Sequence, residues 1–151
     1  MKLRILLLED DFLQRDSIRK ALEQNFEGAV VDTEASESEF HRNFEAIASN
    51  PPDIAVLDVM LRWANPSPDA PSPPTEAWEP QQAGLRCARL LKQDLRTSRV
   101  SVILYTAFNP LNFCDLELPT GAIWLTKELS LDQLIECVRS IRTSDPEVTI
   151  Q

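Results

Sequence analysis

Ile54-Ala55-Val56-Leu57 is an unbroken apolar run that ends in the carboxylate of Asp58. With Pro51-Pro52 before it, the run reads as a strand buried on both faces. Such a strand needs cover above and below, which limits the folds open to the rest of the chain. In an open parallel sheet, ligands sit just beyond the carboxyl ends of the strands, so Asp58 is a functional candidate. A second strand-like run, residues 3–8, also ends in acid at Glu9-Asp10-Asp11. If the two strands are neighbours, several carboxylates converge, and their repulsion is costly unless a cation is present.

The chain in order supports a layered fold. Residues 2–8 form the first strand. Asp11 caps a helix over 12–26, where Ile18, Ala21, Leu22 and Phe26 recur at helical spacing, and Gly28 follows its end. Residues 29–33 are short and β-branched, a second strand expected at a sheet edge. Ser36 and Glu39 form a capping box ahead of Phe40, Phe44 and Ile47, and Pro51-Pro52 stops that helix. After the buried strand, residues 63–82 hold six of the eleven prolines. Proline-rich sequence favours extended conformations, and a structureless connection of this length is unusual, so it reads as an insertion.

The alternation then resumes. A helix is expected over 84–96, a strand over 100–105 ending at Thr106, and a short helix within 109–119. A fifth strand over 122–125 is followed by Thr126-Lys127. A second capping box, Ser130 with Gln133, opens the last helix, which carries Leu131, Leu134, Ile135, Val138 and Ile141. Strands alternating with helices imply an α/β fold: a doubly wound parallel sheet with helices on both faces. The expected organisation is one domain over residues 1–143, interrupted by the insertion at 63–82, with a short tail at 144–151.

Composition narrows the function. The formal net charge of −9 argues against general binding to nucleic acid or anionic membranes. Arg86, Arg89, Lys92, Arg96 and Arg99 form a local basic cluster that reads as a solvated helix face. No apolar stretch is long enough to span a bilayer and the start does not resemble a signal peptide, so a cytoplasmic location is expected. Cys87, Cys114 and Cys137 lack close metal spacing and read as buried reduced thiols. His41, the single histidine, is expected at the surface.

Four of the five expected strands end in chemistry-bearing residues: Asp10 and Asp11, Asp58, Thr106, and Lys127. Each alone has a bland explanation as a cap, a β-former or a solvated charge. Together they supply carboxylates for a hard cation, a hydroxyl and an ammonium for phosphoryl oxygens, and a carboxylate nucleophile.

This set resembles the receiver domains of two-component response regulators. Leu7-Leu8-Glu9-Asp10-Asp11 is similar to the family's acidic start, and Val56-Leu57-Asp58-Val59-Met60-Leu61 to its phospho-acceptor segment. Ile103-Leu104-Tyr105-Thr106-Ala107 and Gly121-Ala122-Ile123-Trp124-Leu125-Thr126-Lys127 are similar to its last two strands. The resemblance covers residues 2–142 apart from the insertion. It implies a five-stranded flavodoxin-like sheet of order 2-1-3-4-5. It also implies that Asp58 accepts a phosphoryl group, with Mg²⁺ (or Mn²⁺) held by Asp11, Asp58 and the Met60 carbonyl, and Asp10 acting through water. Thr106, with Ala107 beside it, and Lys127 would bind the phosphoryl group, Lys127 would pair with Asp58 before phosphorylation, and Trp124 would be the aromatic switch.

Where the family usually has Pro after the Lys, this chain has Glu128, and a trans bond is expected there. Trp124 stands where Tyr or Phe is commoner, and the larger indole is expected to disfavour an inward rotamer. Met60 and Phe108 are apolar and expected to screen the acyl phosphate from water. In the insertion, Trp63 and Trp78 are candidate partner anchors.

Three functions follow. The first is a phosphoacceptor that takes its phosphoryl group from a sensor histidine kinase or phosphotransfer protein and signals to a downstream protein, with a homodimer left open. This is not an enzyme beyond its own phosphorylation and dephosphorylation. The second is a phosphorylation-independent interaction module, which the complete Asp58, Thr106 and Lys127 set disfavours. The third is a Mg²⁺-dependent phosphatase with an Asp nucleophile, disfavoured because Met60 stands where such enzymes of the haloacid-dehalogenase type need a second Asp.

Overall fold

A computed structural model describes residues 2–75, 79, 82–109, 118–128 and 130–144. Its elements run β1 (Arg4–Leu8), α1 (Phe12–Asn25), β2 (Val30–Glu34), α2 (Glu37–Ser49), β3 (Ile54–Leu57), α3 (Ala83–Gln93), β4 (Ser101–Thr106), β5 (Ile123–Thr126) and α4 (Asp132–Thr143). All strand pairs are parallel and the sheet order is β2-β1-β3-β4-β5, as expected. The short helix expected within 109–119 falls mostly outside the described residues.

Every residue of β3 is buried, as its unbroken apolar sequence requires. Alternation along each strand splits the core into two layers. Leu6, Leu8, Ala55, Leu57, Val102 and Leu104 pack against Phe40 of α2 and Leu85, Ala88 and Leu91 of α3. Leu3, Ile5, Leu7, Ile54, Val56, Ile103 and Tyr105 pack against Ile18 and Leu22 of α1 and Leu134, Ile135 and Val138 of α4. Each fully buried Leu or Ile stabilises the fold by about 1.5–3 kcal/mol relative to an exposed one.

Helix ends largely follow the sequence. Asp11 accepts a hydrogen bond from the Gln14 amide at 2.9 Å and caps α1. Beyond the end of that helix, Gly28 takes a φ of 75°, which an L side chain rarely adopts. Ser36 caps α2 through the Glu39 amide at 3.2 Å, and the Glu39 carboxylate accepts from the Ala35 amide at 2.8 Å. The first-turn amides of Glu37 and Ser38 donate to the carbonyls of Arg62 and Trp63 at 3.0 and 2.7 Å. Those bonds satisfy groups that a helix start leaves open, and they tie α2 to the chain leaving β3.

The Ser130–Gln133 capping box is not formed. Leu131 is the N-cap and makes no side-chain cap bond, while Ser130 Oγ accepts from the Asp132 amide at 3.1 Å. The helix starts one residue too late for Ser130 to reach its third amide.

The basic cluster is also more than a solvated face. Arg86 Nε and Nη2 grip the Glu37 carboxylate at 2.9–3.1 Å, and Glu37 is 1% exposed. Lys92 Nζ donates to the Val100 carbonyl at 2.5 Å, and Arg96 pairs with Glu45 and Asp94. These cations tie α3 to α2 and to the loop before β4. The thiols follow the expectation in part: Cys87 is buried, Cys137 is half-buried, and Cys114 lies outside the described residues. His41 is exposed, with its ring against Phe40 and Trp63.

The insertion leaves and re-enters the core at nearly the same place. Val59 and Leu61 are fully buried on the way out, and Ala83 is fully buried on the return. The Gly84 amide donates to the Val59 carbonyl at 2.9 Å. With its ends held together in this way, the excursion leaves the sheet undisturbed.

Candidate functional site

Strand register assembles the site. Leu8 is level with Leu57 in the β1–β3 pair, so Glu9 and Asp58 are the next residues out on adjacent strands. Both continue the parity of the α1–α4 face, as Leu7 and Val56 do. The β4–β5 pair sets Thr106 beside Thr126, and Lys127 follows with the parity of Leu125. Alternation therefore delivers two carboxylates and one ammonium to the same side of the sheet.

The contacts follow. Lys127 Nζ lies 2.6 Å from Glu9 Oε2, 2.9 Å from Asp58 Oδ2 and 2.7 Å from Gln14 Oε1. Its own amide donates to the Thr106 carbonyl at 2.7 Å, which fixes where the side chain starts. The Asp58 amide donates to the Leu8 carbonyl at 2.9 Å, and Asp58 Oδ1 accepts from the Met60 amide at 3.4 Å.

Glu9 is 2% exposed. Burial, with the Asp58 charge added, raises its pKa to about 7 even though Lys127 pulls the other way. Burial alone would lower the Lys127 pKa, but Asp58 and Glu9 outweigh it and hold the ammonium above its ordinary value.

Glu9 is the residue that sequence reasoning passed over as a site residue. Its signal was parity, because it continues the inward series Ile5, Leu7. Asp11 is not brought to the cluster: its carboxylate is spent on the α1 cap and the residue is exposed. Asp10 is directed elsewhere again. Its Oδ2 accepts from the Arg62 amide at 3.0 Å and from Arg62 Nε at 3.4 Å. The carboxylates of the acidic run tied to the β3 segment are thus Glu9, through Lys127 and Asp58, and Asp10, through Arg62, one residue earlier than the Asp10–Asp11 pair expected from the sequence.

Thr106 is fully buried, and its Oγ1 accepts from the Phe108 amide at 3.3 Å. The Phe108 carbonyl in turn accepts from Trp124 Nε1 at 3.1 Å. Trp124 is half-buried on the α2–α3 face, so its indole is joined to the loop that carries the Thr106 hydroxyl. Ala107 is exposed, and Met60 is 42% exposed beside Asp58. Among the described residues no peptide bond is cis, so Lys127–Glu128 is trans.

Trp63 is not a free anchor. Its ring packs 5.7 Å from His41 of α2, and its buried Nε1 has no hydrogen-bond partner. Trp78 lies outside the described residues.

For a hard divalent cation, the donor chemistry fits: Asp10, Asp58 and the Met60 carbonyl all offer oxygen. They do not form a ready cage. Among the described residues no three acidic, His or Cys side chains stand together as a metal group. Lys127 instead takes Glu9 and Asp58, and Arg62 takes Asp10.

No protein-family model and no curated protein matches the chain. Solved structures do. A CheY-like receiver domain protein from Methanospirillum hungatei aligns with a TM-score of 0.66 at 21% identity, covering 97% of this chain and 99% of that one. Chemotaxis response regulator CheY4 of Vibrio cholerae gives 0.66 at 14% identity, with 93% and 99% covered. The phosphorylated cyanobacterial phytochrome response regulator RcpA gives 0.63 at 21% identity, with 94% and 92% covered. The chain has the fold of response regulator receiver domains.

Proposed function

We propose that this chain is a phosphoacceptor signalling protein of a two-component phosphorelay, with Asp58 as the acceptor. The observation that carries the reading is Lys127, whose ammonium holds Asp58 Oδ2 at the carboxyl end of the central strand. An Asp carboxylate held by a fixed cation, with a Thr hydroxyl at the end of the adjacent strand, suits in-line phosphoryl transfer. An Asp58 oxygen attacks the phosphorus of a phospho-imidazole on a kinase or phosphotransfer partner. The N–P bond breaks and the imidazole leaves. Lys127 and the Thr106 hydroxyl then bind phosphoryl oxygens.

Asp10, Asp58 and the Met60 carbonyl would hold Mg²⁺ or Mn²⁺, which when bound neutralises charge on the transferring group. Glu9 supports this set by fixing Lys127. Drawing Thr106 toward the phosphoryl group would release the Phe108 amide and shift the loop that Trp124 holds. Such a movement gives a protein partner a surface to read. Among the described residues no helix is long and apolar enough to cross a membrane, and we place the protein in the cytoplasm.

The test is direct. The full chain incubated with a small acyl phosphate and Mg²⁺ should gain one acid-stable, base-labile phosphoryl group, and Asp58→Ala should gain none. No adduct on the wild type would favour the phosphorylation-independent interaction module. An adduct that persists in Asp58→Ala would move the acceptor elsewhere.

A further inference from the structure

We propose that Arg62 is a built-in competitor for the cation at Asp10, so that loading a divalent cation and displacing the Arg62 guanidinium are one event. This rests on the phosphoacceptor reading above, in which Asp10 and Asp58 carry that cation. Asp10 Oδ2 receives two donors from one residue, the Arg62 amide at 3.0 Å and its Nε at 3.4 Å. The backbone there is anchored: Leu61 is fully buried, and the carbonyls of Arg62 and Trp63 accept from the Glu37 and Ser38 amides. The guanidinium is the part that can move. The Arg62 side chain is 43% exposed against 21% for Asp10, so it can swing into solvent without opening the core.

The charge pattern gives the contact a purpose. Glu9, Asp10 and Asp58 lie at one end of the sheet. Lys127 pairs with Glu9 and Asp58, leaving Asp10 to Arg62. The two side chains let the fold hold its acidic end without a metal. A divalent cation replaces a single positive charge on Asp10 and wins once its concentration is high enough. Arg62 thereby sets the concentration at which Asp58 becomes competent. Lys127 holds Asp58 Oδ2 and Glu9, so the contact at Asp10 is left to Arg62.

The experiment is calorimetric titration of Mg²⁺ into the full chain, with the Arg62 Nε–H resonance followed in parallel. Arg62→Gln should bind Mg²⁺ about tenfold more tightly than the wild type, the size expected for removing one partly exposed charge in contact with a ligand. Arg15→Gln is the comparison. It removes an equal charge near the same strand end, but that charge sits on the Glu9 carbonyl at 2.9 Å and not on Asp10. It should tighten binding by about twofold or less, because only the diffuse field changes. In the wild type, saturation with Mg²⁺ should shift the Arg62 Nε–H resonance.

Equal gains in the two Arg variants would overturn the proposal in favour of a general field effect. So would unchanged affinity in Arg62→Gln while wild-type binding is lost in Asp58→Asn, and that outcome leaves the phosphoacceptor reading standing. Absence of saturable binding in every variant overturns both.

Discussion

Gly84→Ala is expected to cost at least about 3 kcal/mol of stability, and to misplace the acceptor in whatever folded protein remains. A Cβ at residue 84 would stand 1.9 Å from the Asp58 carbonyl oxygen and 2.7 Å from both Asp58 C and Val59 Cα. All three are backbone atoms, so no flexible side chain can turn away. Either α3 moves off the sheet or the segment after β3 bends. Helix propensity pulls the other way, since Ala in a helix interior gains up to about 1 kcal/mol over Gly. The overlap is deep enough that sterics dominate. Urea unfolding gives the loss, and the acyl phosphate assay on the folded fraction gives the displacement of Asp58. A loss under about 1 kcal/mol would show that α3 can pivot freely on its first turn, and the close-approach argument would fail.

Gly84 also marks what the sequence does and does not reveal. Its backbone needs no positive φ, so only the neighbouring chain explains why it must be glycine, and that neighbour is separated from it by the insertion. The strands were legible because apolar runs and alternation are local properties. The same local logic placed Asp58, Thr106 and Lys127 at strand ends. It stumbled at Glu9-Asp10-Asp11, where three consecutive carboxylates offer more than one register. Helix capping took Asp11 and alternation took Glu9, leaving Asp10 to a loop residue.

Apart from the Lys127–Asp58 pair, which the receiver resemblance implies and the structure holds at 2.9 Å, pairings across loops were not legible. Arg86 reaches a buried Glu37 on another helix, and Arg62 reaches Asp10 from the far side of β3. Charge counts along the chain cannot distinguish such pairs from a solvated face, because the decisive variable is which helix lies opposite. The packing of Trp63 on α2 is hidden for a related reason. In a Pro-rich segment an aromatic suggests an external partner, whereas here the partner is α2.

Lys127→Met should be the most damaging change at the site, and its cost should grow with pH. Removing one member of a buried ion pair leaves the other uncompensated; the ammonium keeps some contact with solvent, so a loss of about 2–3 kcal/mol is expected near neutral pH. In the wild type the Glu9 pKa already stands at about 7 against 4.5 for a free carboxyl, raised by burial and by Asp58. A carboxyl raised on folding contributes stability that is complete below its unfolded value and lost as pH climbs through its folded value. Chelator-treated wild type should therefore lose stability between about pH 4.5 and about 7. Of the three influences that restrain this rise, the smallest is the Asp11 amide, and Lys127 supplies the two larger, its hydrogen bond and its charge. Without them Glu9 holds its proton to higher pH, and the decline of the variant extends beyond that of the wild type. The difference between the two proteins should then be small in mild acid and large in mild base. Adding Glu9→Gln to Lys127→Met should recover most of the loss, because a neutral amide needs no cation beside it. Urea unfolding across pH, in chelator, measures all of these. A pH-independent difference, or no recovery in the double variant, would mean that Lys127 stabilises the fold through packing over Tyr105, whose ring centroid lies 5.8 Å from its Nζ, and not through the buried carboxylate.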